Sequence, residues 1–346
     1  MGRVTAEERA RLAAWLAEAA GARAVTLREA AKLSGGAIQE NWGLEVEVAD
    51  GPHGGLHRWV LRTDSPSGVA TSLGRVQEFA LLVAAHGVGV TVPRPLFLCP
   101  DRAVLGKPFY VMERVAGRAE GHILVRDPKI AEWGEAMAER LGRELARIHT
   151  IRPPRPDLGF LPMPDGPAAA SRIATYRGYL DALPEAHPVL EWALRWLERH
   201  APPAGDVVLC HSDLRTGNYM VHQGELTGIL DWEFAAWSDP MEDIGWFCYR
   251  YWRFGSDARE AGGIGSREAF YRGYEAESGR DVARNQIPWW EALAAVRWGV
   301  IALQQGERHL TGGEDSLELA LTGMRAAETE LDALNAIDRM QQSAAA

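Results

Sequence analysis

Lysine is nearly missing from this sequence: Lys32, Lys107 and Lys129 stand against 34 arginines. None of the three completes GxxxxGK[ST], which excludes a Walker-type phosphate loop. Basic runs are also missing. Acids outnumber bases 47 to 37, for a formal charge of −10, and nucleic-acid affinity rests on clustered Lys and Arg neutralising phosphates, so nucleic acid is excluded as a partner. Cysteine is scarce: Cys99, Cys210 and Cys248 are odd in number, far apart and outside any CxxC pair. A reduced compartment with neither a disulfide framework nor structural zinc is expected. No stretch approaches the roughly 18 consecutive apolar residues of a membrane span, and the start lacks a basic region followed by an apolar block, so the expectation is a cytoplasmic protein without membrane contact. GxSxG and HExxH do not occur. The pairs Gly87/Gly89 and Gly263/Gly265 lack a third glycine at the right spacing, so serine-hydrolase, zincin and Rossmann readings lose their main support.

What is present is a 346-residue chain, 47% hydrophobic, long enough to bury a large core in two lobes. Thr5 and Glu8 have capping-box spacing ahead of Leu12, Trp15, Leu16 and Ala19, which predicts a helix over 5–20. Segments 24–33, 41–49 and 57–63, separated by glycine turns, predict an antiparallel meander. A helix over 72–86 and strands near 93–100 and 108–115 complete a small lobe. After Gly117 the periodicity is helical over 128–149, 167–182, 187–199, 239–252, 266–278, 286–310 and 315–340, with a β insert at 206–231. The fold class expected is α+β, a small antiparallel sheet lobe with one inserted helix (1–113) before a larger, mainly helical lobe (114–346).

The most informative segment is Val208-Leu-Cys-His211-Ser-Asp213-Leu-Arg-Thr-Gly-Asn218-Tyr-Met-Val, followed by Gly228-Ile-Leu-Asp231-Trp-Glu233. Polar groups at the ends of short apolar strands can converge on one edge. A loop carboxylate of this kind can orient a hydroxyl and accept its proton, while an amide oxygen and a second carboxylate are the hard ligands that Mg²⁺ takes.

HxDxxxxN, with Asp231 of DWE 13 residues beyond Asn218, resembles the aminoglycoside phosphotransferase family, relatives of protein kinases, and its branch resembling the kinase domains fused to acyl-CoA dehydrogenases. The resemblance implies a protein-kinase-like two-lobed fold, ATP and Mg²⁺ as cofactors, Asp213 as catalytic base, His211 as the brace of its loop, and Asn218 and Asp231 as metal ligands. It also implies that the turn Ser34-Gly35-Gly36 approaches nucleotide phosphates, with Ile38 standing where a small polar residue is usual. Arg62, ending the third strand, takes the place of the usual phosphate-pairing lysine, and Glu78 on the following helix is its partner. Glu113 to Val115 becomes the hinge that meets adenine, and Asp243 of Asp239-Pro240-Met-Glu-Asp243 anchors the catalytic loop.

The function expected is an ATP-dependent kinase of a small-molecule hydroxyl, the acceptor being a hydroxyacyl or hydroxy-acid compound or an aminoglycoside or other amino alcohol. The chain would act as a monomer or homodimer. Two other readings stay open from the residues alone: a nucleotide-binding pseudokinase, favoured by Arg62 and Ile38, and a metal-dependent hydrolase using His211, Asp213, His222 and Asp231.

Overall fold

In a computed structural model, residues 5–33, 39–64, 72–312 and 316–345 are described. Their elements run, in chain order, α1 (Ala6–Ala19), β1 (Val25–Lys32), β2 (Gln39–Val48), β3 (Gly55–Asp64), α2 (Arg75–Gly87), β4 (Pro95–Cys99), α3 (Arg102–Leu105), β5 (Phe109–Glu113), α4 (Gly121–Leu124), α5 (Ile130–Ile148), α6 (Ala168–Asp181), α7 (Pro188–Arg199), β6 (Val208–Cys210), β7 (Tyr219–His222), β8 (Glu225–Ile229), β9 (Ala236–Ser238), α8 (Pro240–Cys248), α9 (Arg267–Ser278), α10 (Ile287–Leu310), α11 (Leu317–Met324) and α12 (Ala326–Ala345). They form two compact units. One holds the residues up to Ala119 together with Arg155–Phe160 and Asn218–Ala235; the other holds Glu120–Pro154, Leu161–Gly217 and the residues from Ala236 on. Asn218–Ala235 thus packs with the first unit although it follows the expected boundary near 113 in the chain.

In the first unit, five antiparallel strands run in the order β1-β2-β3-β5-β4. The meander expected from 24–63 is there, as is the helix between its third and fourth strands. Alternation decides which face is buried: Leu44, Val46 and Val48 of β2, Trp59 and Leu61 of β3, and Phe109 and Val111 of β5 join Leu12 and Leu16 of α1 in one core. Each such side chain contributes about 1.5–3 kcal/mol by leaving water. The capping box of α1 forms as its spacing requires, with the Thr5 hydroxyl accepting from the Glu8 amide and the Glu8 carboxylate from the Thr5 amide.

The second unit is built around α10, against which α6, α7, α8, α11 and α12 pack. Beside it α5 and α9 cross at backbone contact: a Cβ on Gly142 would lie 2.0 Å from the Phe270 carbonyl oxygen, and one on Gly273 1.9 Å from that of Glu139. Only glycine permits that approach. Two expected helices end early. The stretch 239–252 stops as α8 at Cys248, where Tyr249 turns extended; Arg253 Nη2 caps the Cys248 carbonyl at 2.8 Å, and the Tyr249 hydroxyl is drawn to Asp332 Oδ2 at 3.0 Å. The stretch 315–340 divides at Arg325, whose amide donates to Thr322 in a tightened turn, just after Gly323 packs on Gly306 of α10. The strand β9, unforeseen in sequence, pairs antiparallel with β6.

Candidate active site

In the first unit, the segment from Asn218 to Asp231 is a hairpin. β7 and β8 are joined by Gln223 (φ 53°) and Gly224 (φ 83°), the two left-handed residues of a tight hairpin turn. Tyr219 pairs with Ile229, and the Leu230 amide donates to the Asn218 carbonyl at 2.8 Å. Pairing therefore brings Asn218 level with the residue before Asp231, and the 13-residue spacing becomes adjacency at the open end of the hairpin. His222 lies at the other end, three residues along β7 from Tyr219 and so about 10 Å away. That separates His222 from Asp231 and removes a ligand on which the hydrolase reading depends.

Arg62, at the end of β3, reaches two carboxylates. Its Nε is 3.0 Å from Glu78 Oε1 and its Nη2 2.7 Å from Asp231 Oδ1. Arg62 pairs across the strands with Asn41 on β2 and Tyr110 on β5, so its position is fixed by the ladder. Burial alone would lower its pKa, but Glu78 and Asp231 outweigh that and hold it well above the ordinary value; the guanidinium stays charged. Glu78 sits one turn before the buried Leu81, Leu82 and Ala85 of α2 and is itself buried.

Sequence reasoning missed what surrounds this pair. Arg75, fully buried, contacts Glu78 and donates from Nε to Asp64 Oδ1 at 2.9 Å and from Nη2 to the Leu73 carbonyl at 2.8 Å. Glu233 of the DWE run accepts from Gln39 Nε2 at 2.5 Å, and its carbonyl from the Leu73 amide at 2.9 Å. Burial first, and the neighbouring carboxylates after it, push the Glu233 carboxyl up to about 7. The only advance signal was the acidic character of DWE itself. Glu113 ends β5 exposed, its amide donating to the Arg94 carbonyl at 2.9 Å, and Val115 lies two residues beyond, against Gly228 of the hairpin. Ser34, Gly35 and Gly36 lie outside the described residues, as does Ile38.

In the second unit, the loop after β6 carries His211, Ser212 and Asp213. Ser212 has φ 61°, a left-handed backbone that costs a non-glycine residue roughly 1–2 kcal/mol. What holds it is Asp243 on α8: the amides of His211 and Ser212 donate to its Oδ2 and Oδ1, each at 2.7 Å. The anchoring role expected for Asp243 is therefore visible as two charge-assisted bonds. Burial would raise the Asp243 pKa, but hydrogen bonding from His149, the charges of His149 and His211 and the His211 amide leave it below its usual value. His149, the residue after α5, places Nε2 3.2 Å from Asp243 Oδ2 and Nδ1 2.9 Å from the Tyr274 hydroxyl. Neither residue was singled out in sequence, since each lies some sixty residues from the loop it supports.

His211 Nδ1 accepts from the Asp213 amide at 3.2 Å, which fits a brace rather than a reacting group. The Asp213 carboxylate receives the Trp246 indole N–H on Oδ1 at 3.1 Å, and Arg215 Nε lies 3.4 Å from the same oxygen. Arg172 Nε donates to Glu242 Oε2 at 2.8 Å and its Nη2 lies 3.4 Å from the Ser212 hydroxyl. A carboxylate held from several sides on a braced loop is suited to accepting a proton from a positioned hydroxyl. Trp237, Trp252, Trp289 and Trp290 are buried core.

This constellation falls within a recognised class. Residues 29–281 match the model of the APH phosphotransferase enzyme family, and the chain belongs to that family. Among curated proteins it is 28% identical over 265 residues to acyl-CoA dehydrogenase family member 10 of Mus musculus, covering 71% of this chain and 24% of that protein. It is 26% identical over 295 residues to acyl-CoA dehydrogenase family member 11 of Pongo abelii, covering 80% of this chain and 37% of that protein. The chain thus spans about a quarter to a third of the length of these relatives. Among solved structures, a Ralstonia eutropha chain described as an aminoglycoside phosphotransferase superposes with a TM-score of 0.75 at 23% identity, covering 95% of this chain and 98% of that one. A spectinomycin phosphotransferase complexed with ADP and spectinomycin gives a TM-score of 0.60 at 13% identity, covering 94% and 98%. The fold is protein-kinase-like. No helix among the described residues is long and apolar enough to cross a membrane.

Proposed function

We propose that this chain transfers the γ-phosphate of ATP to a hydroxyl of a small molecule, the first unit holding the nucleotide and the second the acceptor. The observation that carries the reading is the Asp213 loop: a carboxylate fixed by Trp246 and Arg215, on a strained backbone that Asp243 secures with two amide bonds. Strain kept in place this way belongs to a group whose orientation matters. Asp213 would receive the acceptor hydroxyl and take its proton as the phosphoryl group moves. Arg62 would meet phosphate oxygens, its guanidinium offering two parallel donors where an ammonium offers a point charge.

The donor set fits Mg²⁺. An amide oxygen of Asn218 and the carboxylate of Asp231, adjacent at the hairpin end, are hard oxygen ligands, and Asp231 already lies 2.7 Å from one cation, Arg62 Nη2. When bound, the ion would supply charge neutralisation on the phosphates. Acceptors carrying an acyl chain and a hydroxyl come first, by likeness to the acyl-CoA dehydrogenase family members. Amino alcohols come second, since an ethanolamine kinase of Plasmodium vivax shares the fold with a TM-score of 0.58. The test is a screen of Mg²⁺-dependent ATP consumption across hydroxy acids, hydroxyacyl thioesters, amino alcohols and aminoglycosides. Acceptor-dependent ADP release supports the reading. Nucleotide binding without turnover on any acceptor, and without slow hydrolysis, would instead make the chain a pseudokinase.

A further inference from the structure

Helix α8 touches the catalytic loop at two places one helical turn apart. Asp243 takes the amides of His211 and Ser212, and Trp246, three residues on and therefore on the same face, donates its indole N–H to Asp213 Oδ1 at 3.1 Å. The first contact fixes the backbone of the loop and the second its reactive side chain. Trp246 is fully buried, and packing alone does not explain the residue, because phenylalanine would fill most of the space without a polar atom to satisfy. The ring is held in turn. Arg297 of α10 lies over it, Cζ 4.1 Å from the centroid, while Trp252 packs 5.0 Å away at 56°. Arg297 is itself buried, and its Nη1 has no hydrogen-bond partner among the described residues. Its nearest acid is Glu242, at 3.9 Å, so the aromatic face is a main contact for this cation. A cation on the ring face withdraws electron density from the indole and makes its N–H the stronger donor.

We infer that Trp246 is a positioning residue for phosphoryl transfer, its indole N–H holding the Asp213 carboxylate in the rotamer that accepts the acceptor proton. The inference rests on the kinase reading above. It goes further in giving the loop a side-chain clamp, distinct from the backbone anchor that Asp243 provides.

The clean perturbation removes one N–H and nothing else. Site-specific replacement of Trp246 by β-(3-benzothienyl)alanine keeps the bicyclic shape and the face beneath Arg297 but puts sulfur where the N–H was; Trp246→Phe is the encodable companion. Melting temperature, MgATP affinity by calorimetry, and kcat and KM for ATP turnover are measured on the full chain, using background ATP hydrolysis if no acceptor is in hand. The expected result is unchanged melting, nucleotide affinity and KM, with kcat falling roughly ten- to a hundredfold, the scale of one hydrogen bond to a charged group. In an Asp213→Ala background the same replacement should leave the residual rate unaltered, because a residue acting through Asp213 has nothing left to act on. Wild-type kcat in the isostere, or an equal loss in the Asp213→Ala background, would overturn the inference while leaving the kinase reading intact. If instead the wild type turns over no ATP, or Asp213→Ala keeps full turnover, the kinase reading fails and takes this inference with it.

Discussion

Replacing Arg62 by alanine tests the cation that joins two carboxylates in the first unit. The side chain is 6% exposed and bridges Glu78, 1% exposed, to Asp231, 31% exposed. Breaking a buried pair by deleting one partner costs about 3–5 kcal/mol. Here Glu78 keeps its contact with Arg75 and Asp231 is partly screened by water, which brings the cost below that range, to about 2–3 kcal/mol. In a chain of this size that lowers the melting temperature by roughly 3–4 °C. ATP without metal should bind about 1–3 kcal/mol more weakly, the scale of lost charge-assisted bonds to an anion. MgATP should suffer less, because Asp231, relieved of the guanidinium, becomes the better metal ligand. Arg62→Lys separates charge from shape: one ammonium cannot sit on Glu78 and Asp231 as Nε and Nη2 do together, so about half the stability loss should remain. Scanning calorimetry and titration calorimetry with and without Mg²⁺ read all of these. An alanine variant that melts and binds ATP like wild type would show Arg62 to be an ordinary strand-end arginine, and the argument from its two ion pairs would be refuted.

Other outcomes follow from the same geometry. Asp213→Asn should preserve nucleotide affinity and melting but lose roughly 10²–10⁴ in turnover, the span of a positioned general base; full turnover in steady-state assays would remove Asp213 from the chemistry. Asp231→Ala should abolish the gain in nucleotide affinity that Mg²⁺ brings, and equal affinity with and without the ion in wild type would show the metal assignment to be wrong. Asp239, the buried cap of α8, is pushed up to about 6 from 3.8, chiefly by burial. The folded state therefore keeps a proton that the unfolded chain gives up, so this group's contribution falls by at most about 3 kcal/mol as pH rises from about 4 to 6 and is flat above. Asp239→Asn retains an oxygen for the Met241 amide, and its stability relative to wild type should rise between pH 4 and pH 8 in urea melts. A constant difference across that range would refute the assignment.

How much was legible in sequence depended on how far apart in the chain the interacting groups lie. His211, Asp213, Asn218 and Asp231 fall within 21 residues on alternating strand and loop, so local pattern places them. Arg62 and Glu78 needed only strand register and a helical stripe. Asp243 with His149, Arg75 with Glu233, and Gln39 with Glu233 were not legible, because each joins residues whose neighbourhood is set by packing between distant segments. Length also mattered. Three-residue β9 carries too few alternations to register, and α8 ends where Arg253 and Asp332 intervene, not where its periodicity does. Trp246 looked like any helical tryptophan, since an apolar ring with one donor gives no sign of what that donor meets.

The hairpin between Asn218 and Asp231 has one irregularity, a bulge between Met220 and Val221, opposite which Thr227 is the extra residue. The Thr227 hydroxyl donates to the Ala116 carbonyl at 2.6 Å, tying the bulge to the chain just after β5. Because side chains alternate from one face to the other along a strand, one residue more or less inverts every position beyond it. The facing of Ile229 at the end of β8 is thus decided two residues upstream, by Thr227, and Asp231 then leaves the strand with a left-handed backbone (φ 60°). Loop length at the tip can drift freely in descendants of this chain, whereas the count of residues on the returning strand is a parity that only compensated changes can preserve.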